Sequence, residues 1–162
     1  MRAPMRILVT GVQAPMGAAI VRTLAAAGHM VRAFGLAPGS NPFAATPSVE
    51  PFAGDAALGG SLEPVASECQ AIVHVATLDA KPTARAVTEA TRYARFAAER
   101  ELVDQFIVVL PAAAPRALAA ALAEAETLAK QARVPHTILA AETPEAAATQ
   151  VARLLTTATA TA

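Results

Sequence analysis

The residues best suited to chemistry lie in one short segment, positions 10–17, which reads Thr-Gly-Val-Gln-Ala-Pro-Met-Gly. It follows an apolar run at 7–9 and precedes a pattern at 18–24 that is typical of a helix. A strand, a glycine turn and a helix N-terminus together attract phosphate, because free backbone N–H groups and the helix dipole meet there. The chemistry predicted is therefore binding of a dinucleotide through its pyrophosphate.

Two residues of this turn are poorly suited to a phosphate. Ala14 stands where a glycine would let a pyrophosphate approach, and it would cost about 1 kcal/mol or more if the position needs a positive φ. Pro15 suits the first turn of a helix but offers no N–H. Loss of one charge-assisted hydrogen bond, about 1.5–3 kcal/mol, lowers affinity roughly tenfold to hundredfold. Two interpretations stay open: a turn retained only for folding, or a site that still binds a dinucleotide.

The end of the expected second strand adds no charge to the turn. Residues 33–38 read Ala-Phe-Gly-Leu-Ala-Pro. Dinucleotide sites usually place an acid there for the ribose, or an arginine for a 2′-phosphate. This strand end therefore weakens the prediction of a cofactor.

The elements that must position the turn alternate along the chain. Strands are expected near 5–10, 30–34, 48–52, 71–76, 105–110 and 136–140, and helices near 15–27, 60–68, 82–101, 115–132 and 144–156. The largely apolar runs among the strands suit a parallel sheet buried on both faces. We therefore predict an α/β fold, a Rossmann-like doubly wound parallel sheet of about six strands with helices on both faces.

Length and composition narrow the function classes. With 162 residues, 54% of them hydrophobic, the chain is expected to form a single Rossmann-like domain over 1–156 and a frayed low-complexity tail at 157–162. Thirteen basic and thirteen acidic residues balance, and no basic run forms, so no nucleic-acid partner is expected. No apolar run approaches the roughly 20 residues of a membrane span. One cysteine, Cys69, permits no internal disulfide, and the start of the chain lacks a signal-peptide core, so a cytoplasmic location is expected.

The order of elements and several local motifs resemble the extended or atypical short-chain dehydrogenase/reductase superfamily, in particular NmrA-like proteins and nucleotide-sugar epimerases. That branch opens Thr-Gly-Ala-Thr-Gly-Phe-Ile-Gly, which corresponds to residues 10–17. The likeness covers roughly residues 5–155, and the family's C-terminal substrate-binding portion is expected to be missing. The further matching segments are 28–34, the Gly54 and Asp55 pair, 71–76, 97–107, 125–126 and 134–139.

The resemblance implies NAD or NADP as the cofactor. The three histidines and one cysteine show no metal-ligand spacing, so no metal is expected. Asp55 has two readings that stay open: an acceptor for the adenine amine, as its family counterpart is, or a cap of its own turn. The residues that the resemblance assigns to the cofactor are Gly11, Val12, Gln13, Met16, Gly17, Asp55 and Ala76.

The family's catalytic groups have no counterpart in the sequence. Active members use a Ser or Thr and a later Tyr-x-x-x-Lys, in which the Tyr exchanges the proton and the Lys lowers its pKa. The one tyrosine, Tyr93, precedes the expected fifth strand and has Ala97 four positions later. His74 is the one histidine placed toward a ligand crevice, but no Tyr or carboxylate is reliably placed beside it. We therefore assign no catalytic residue.

Two functions remain open at this point. The first is a non-catalytic Rossmann protein, a structural or accessory subunit or a dinucleotide-sensing module, with weak or no NAD(P) binding. The second is an NAD(P)-dependent oxidoreductase or epimerase with unorthodox catalytic groups. In relatives, the helices matching 82–101 and 115–132 often build a dimer interface, and a neutral, apolar-rich chain favours association, so a homodimer or a protein partner is expected.

Overall fold

The computed structural model describes residues 3–76 and 82–160. Six strands and five helices alternate along these residues, and a single 3-10 turn at Arg116–Leu118 leads into the fourth helix. The strands are β1 (Arg6–Thr10), β2 (Met30–Leu36), β3 (Val49–Ala53), β4 (Ala71–Val75), β5 (Gln105–Pro111) and β6 (His136–Ala141). The helices are α1 (Pro15–Ala26), α2 (Glu63–Ala66), α3 (Ala84–Glu101), α4 (Ala119–Lys130) and α5 (Pro144–Ala160).

The six strands form one sheet in the order β3-β2-β1-β4-β5-β6, and every neighbouring pair is parallel. Consecutive strands are joined through helices or, between β2 and β3, through the loop 37–48. This order reverses direction at β1, which is the doubly wound arrangement. The predicted Rossmann-like α/β fold is confirmed.

The sheet separates two apolar layers, because side chains alternate between its faces. Leu8 of β1 and Ile72 of β4 face α3 and α4, whereas Ile7 and Val9 face α1 and α5. All four are fully buried. Alanines occupy most of the buried positions of α3, so this helix lies close to the sheet.

Some element boundaries differ from the sequence expectation. The predicted helix at 60–68 is a single turn, α2, because Ser67 is extended and Glu68 has a φ of 64°. The expected helix 115–132 is a 3-10 turn followed by α4, and α5 continues to Ala160, past its expected end at 156. The division into a domain at 1–156 and a tail stays a prediction.

Candidate functional site

The crevice of this fold lies where the carboxyl ends of β1 and β4 meet, since the strand order reverses there. The loop from β1 to α1 occupies that position. Ala76 follows β4 directly, and Asp55 lies in the loop after β3. The sequence-predicted residues are thus distributed over one turn and two strand ends at the same edge of the sheet.

Two glycines allow the turn to sit tightly against its neighbours. Gly11 has a φ of +70°, and a Cβ there would lie 3.0 Å from both the Cβ and the carbonyl oxygen of Val75. A Cβ on Gly17 would lie 2.7 Å from the carbonyl carbon of Gly11 and 2.9 Å from the Cα of Val12. Real Cβ atoms do not approach backbone so closely, so α1 reaches the turn only because residue 17 is glycine.

The backbone conformation of Ala14 removes one of the two objections to this turn. Its φ of −75° and ψ of 147° are extended, so the conditional cost of a positive φ does not arise. The Ala14 N–H donates to the Gly11 carbonyl at 3.2 Å, and its own carbonyl accepts from Ala18 at 3.0 Å as α1 begins. The turn therefore uses the Ala14 N–H for itself.

Pro15 is the first residue of α1 and carries no N–H. In an α-helix the next two N–H groups, here those of Met16 and Gly17, have no acceptor within the helix. They remain directed along the helix axis at its positive end. The turn therefore keeps two N–H groups that could bind an anion, those of Met16 and Gly17, and lacks the one that residue 15 would supply.

Gln13 makes a contact that the sequence did not reveal. Its exposed side chain crosses to the end of β2, where Nε2 donates to the Gly35 carbonyl at 2.5 Å. Gly35 has a φ of +110° and stands at the strand end where a ribose-binding acid is usual. Residue spacing gives no signal for this contact, because it depends on the rotamer of a long side chain across 22 residues.

The remaining predicted residues are held by the protein itself. Val12 and Ala76 are buried, and the Ala76 N–H donates to Val109 at 3.0 Å. Met16 is half-buried and packs on the α1 and α5 side of the sheet. Asp55 Oδ1 accepts from the Ala57 N–H at 2.9 Å, which is the turn-capping contact of the two open readings.

His74 is fully buried between β1 and α3. Its Nδ1 lies 2.7 Å from Thr10 Oγ1, and its Nε2 lies 3.0 Å from Thr91 Oγ1. The Thr91 hydroxyl donates to Val87 at 2.9 Å, so His74 Nε2 must carry the proton and Nδ1 must accept from Thr10. Burial lowers the pKa of His74 from 6.5 to about 3. The neutral ring therefore supports the packing beneath the turn, and its full burial separates it from the crevice.

Tyr93 and Cys69 also lie away from the crevice. Tyr93 is half-buried on α3, with its hydroxyl beside Gly59 of the loop before α2. Burial raises the pKa of the Cys69 thiol, more than the neighbouring Arg32 lowers it. Within 3–76 and 82–160, no cluster of three or more His, Cys, Asp or Glu side chains could hold a metal ion.

The crevice fits a dinucleotide only in part. The close glycines and the N-terminal end of α1 suit a pyrophosphate. The ribose end does not fit, because Gly35 supplies no acid and its carbonyl already accepts from Gln13. We therefore derive no chemical step through a nicotinamide cofactor.

Comparison with known proteins places the chain in a family. Residues 7–160 match the NAD dependent epimerase/dehydratase family. A search of curated proteins finds no match.

In the described part of the chain, no helix has the length and apolar character needed to cross a membrane.

Solved structures share the fold at low sequence identity. Bordetella bronchiseptica WbmG, crystallised with NAD, has a TM-score of 0.72 and 18% identity over 85% of this chain and 53% of its own. The oxidoreductase ylbE from Lactococcus lactis has a TM-score of 0.74 and 15% identity over 95% of this chain and 86% of its own. NmrA, a negative transcriptional regulator crystallised with NADP, has a TM-score of 0.66 and 19% identity over 85% of this chain and 45% of its own.

The chain thus spans about half the length of WbmG and of NmrA. The family match covers nearly the whole sequence, and the sheet order and the glycine turn agree with it. This chain belongs to the NAD dependent epimerase/dehydratase family.

Proposed function

We propose that this protein is a non-catalytic Rossmann module, a structural or accessory subunit or a dinucleotide sensor, which binds NAD(P) weakly or not at all. The observation that carries the proposal is the state of the crevice. The Ala14 N–H is used within the turn, Pro15 has no N–H, and Gln13 donates to the strand end where a ribose would be held.

The placement of the titratable side chains supports the same proposal. His74 is buried and neutral, so it has no path to a substrate proton. Tyr93 packs on α3 beside Gly59, and Ala97 stands where the family's lysine would follow it. General acid–base catalysis needs a titrating group within hydrogen-bond reach of the substrate, and neither residue meets that condition.

Calorimetric titration with NAD(H) and NADP(H) tests the proposal. We expect binding of the natural sequence to be weaker than micromolar. The double variant Ala14→Gly, Pro15→Phe restores the family's residues and returns one N–H, so its affinity should rise roughly tenfold to hundredfold. A matched control, Pro135→Ala, changes an exposed proline just before the amino end of β6, at the sheet edge opposite the turn, and should leave affinity unchanged. Micromolar binding by the natural sequence would refute weak or absent binding and would leave only the dinucleotide sensor among the proposed roles.

A second candidate is an NAD(P)-dependent oxidoreductase or epimerase of the atypical short-chain type. It is favoured by the family match and by relatives that were crystallised with NAD or NADP. The absorbance of the purified protein separates the two functions. With no Trp and one Tyr, the chain absorbs little at 280 nm, so a copurified nucleotide would dominate the spectrum at 260 nm. A protein spectrum without that band supports the first function.

We also propose that the module acts through a homodimer or through a protein partner, without nucleic acid and in the cytoplasm. The balanced charge and the high apolar fraction support association with protein surfaces. The single, buried, unpaired cysteine is compatible with a reducing compartment.

A further inference from the structure

Strand β2 contains a bulge at Gly35, beside the glycine turn. Its pairing with β1 ends at Phe34, and its register with β3 passes from Phe34 directly to Leu36, so Gly35 has no register partner on either neighbouring strand. Residues two apart share a face in a regular strand, yet Phe34 and Leu36 lie in opposite apolar layers. A bulge takes a residue out of the ladder and redirects its backbone groups. The Gly35 carbonyl is therefore available to a donor outside the sheet.

The backbone around this carbonyl is held in place from both sides. Phe34 and Leu36 are both buried. The Phe34 ring also lies against Gly54, where a Cβ would come within 2.6 Å of the ring. Because both neighbours of Gly35 are anchored, the carbonyl can be covered or uncovered only by movement of its donor.

The donor is the side chain of Gln13, which is exposed and belongs to the turn between β1 and α1. Its Nε2 donates to the Gly35 carbonyl from the opposite side of the crevice. Exposed side chains exchange rotamers within about a nanosecond, and a single neutral hydrogen bond opposes that exchange here. The acceptor at the end of β2 is thus fixed, and the group that covers it is movable.

We propose that Gln13 excludes the adenosine ribose of a dinucleotide by occupying the Gly35 carbonyl, the acceptor that a ribose hydroxyl would use. This role of Gln13 rests on the proposed function, because it gives a physical cause for weak binding at the same crevice. The N–H groups of Met16 and Gly17 lie outside the contact, so the part of the turn that suits a pyrophosphate is not covered. Gln13 therefore selects against ligands that carry a ribose, and not against pyrophosphate alone.

The size of this exclusion follows from the strength of one hydrogen bond. A site that is closed for most of the time has its apparent affinity reduced by the fraction that is open. One neutral hydrogen bond of ordinary net strength leaves roughly one molecule in three to one in ten open. Removal of the Gln13 amide should therefore raise the affinity for a ribose-bearing ligand about threefold to tenfold.

NMR titration of matched variants with ADP-ribose and with inorganic pyrophosphate tests the proposal. Gln13→Ala should bind ADP-ribose about threefold to tenfold more tightly than the natural chain, and pyrophosphate no more tightly. The control, Gln131→Ala, removes an exposed glutamine and its 3.1 Å bond from Arg95 at the end of α4, and should change neither affinity. Equal affinities of Gln13→Ala and the natural chain for ADP-ribose, no binding by either at millimolar concentration, or an equal gain for pyrophosphate would overturn the proposal.

The side-chain amide signals of Gln13 give a second readout, which does not depend on comparing affinities. They are the pair of signals that is missing from the spectrum of Gln13→Ala. In the natural protein, ADP-ribose should shift this pair toward the values of a free glutamine, and pyrophosphate should not. A pair that has free values without any ligand, or that stays unchanged when ADP-ribose saturates the protein, would contradict the role of Gln13.

The proposed function is judged by a different quantity, the absolute affinity of the natural chain for NAD(P). Micromolar affinity would refute weak binding, whereas the role of Gln13 is measured by the ratio of the affinities of Gln13→Ala and the natural chain. A ratio of one would refute the role of Gln13 and leave weak binding standing.

Discussion

The buried imidazole of His74 should make this protein sensitive to mild acid. The ring has Thr10 and Thr91 hydroxyls as partners and no charged neighbour that contributes to its pKa, which burial alone lowers. Protonation would destroy the Nδ1 acceptor and place an unpaired charge in the core. We therefore choose His74→Gln, which does not titrate and whose amide can still donate to Thr91.

The size of the effect follows from linkage. The folded pKa is about 3 and the unfolded value is 6.5, so between these values the unfolded chain binds more protons. Stability contributed by the neutral ring is present above pH 6.5 and falls as the pH drops toward the folded pKa. Between pH 7 and pH 5 the natural protein should lose about 2 kcal/mol through this group.

Urea unfolding at the two pH values measures the loss. Each protein is compared with itself, so a constant cost of the substitution cancels, and the other histidines are common to both. We expect the natural protein to lose about 2 kcal/mol more than His74→Gln between pH 7 and pH 5. Equal losses in both proteins would show that the ring is not buried and neutral, and would refute the reasoning.

Gly17→Ala should destabilise the fold by about 1–3 kcal/mol or more because its Cβ meets backbone. Gly59→Ala should cost little, because its Cβ meets only the end of the Tyr93 side chain, at 3.3 Å from the hydroxyl. Urea unfolding compares the two variants, and equal costs would contradict the close approach of α1. Arg32→Met removes donors at 2.7 Å from the Val65 and Ser67 carbonyls, so we expect thermal unfolding to show a loss of about 1–3 kcal/mol. An unchanged midpoint would argue against that role. Cys69 should react with a thiol reagent only as the chain unfolds, since it is buried and its pKa is raised; rapid labelling of the native protein is the opposing result.

The fold was predictable because the pattern of apolar residues reflects burial and the order of the elements limits the topology. Runs such as 71–76 are apolar because a central parallel strand is covered on both faces, and Gly28 ends the first helix because it adopts a φ of +94°. Alternation of strands and helices then left few topologies open. The short α2 was not predictable in the same way, since its length depends on the local conformation of Ser67 and Glu68.

The site was predictable in its location and only partly in its contacts. The spacing of Gly11 and Gly17 identified the turn, because backbone segments that pack this closely require glycine at the contact. The bond from Gln13 to Gly35 leaves none, since many side chains could occupy residue 13. The partners of His74 were likewise hidden, because Thr10 and Thr91 are brought to it from β1 and α3 by tertiary packing.

The β3 edge of the sheet offers few hydrogen-bond donors to another strand. The Val49 N–H donates to the Thr46 carbonyl at 3.0 Å, and Pro51 has no N–H. Edge-to-edge pairing of copies through β3 is therefore disfavoured, and this side of the sheet is protected against aggregation.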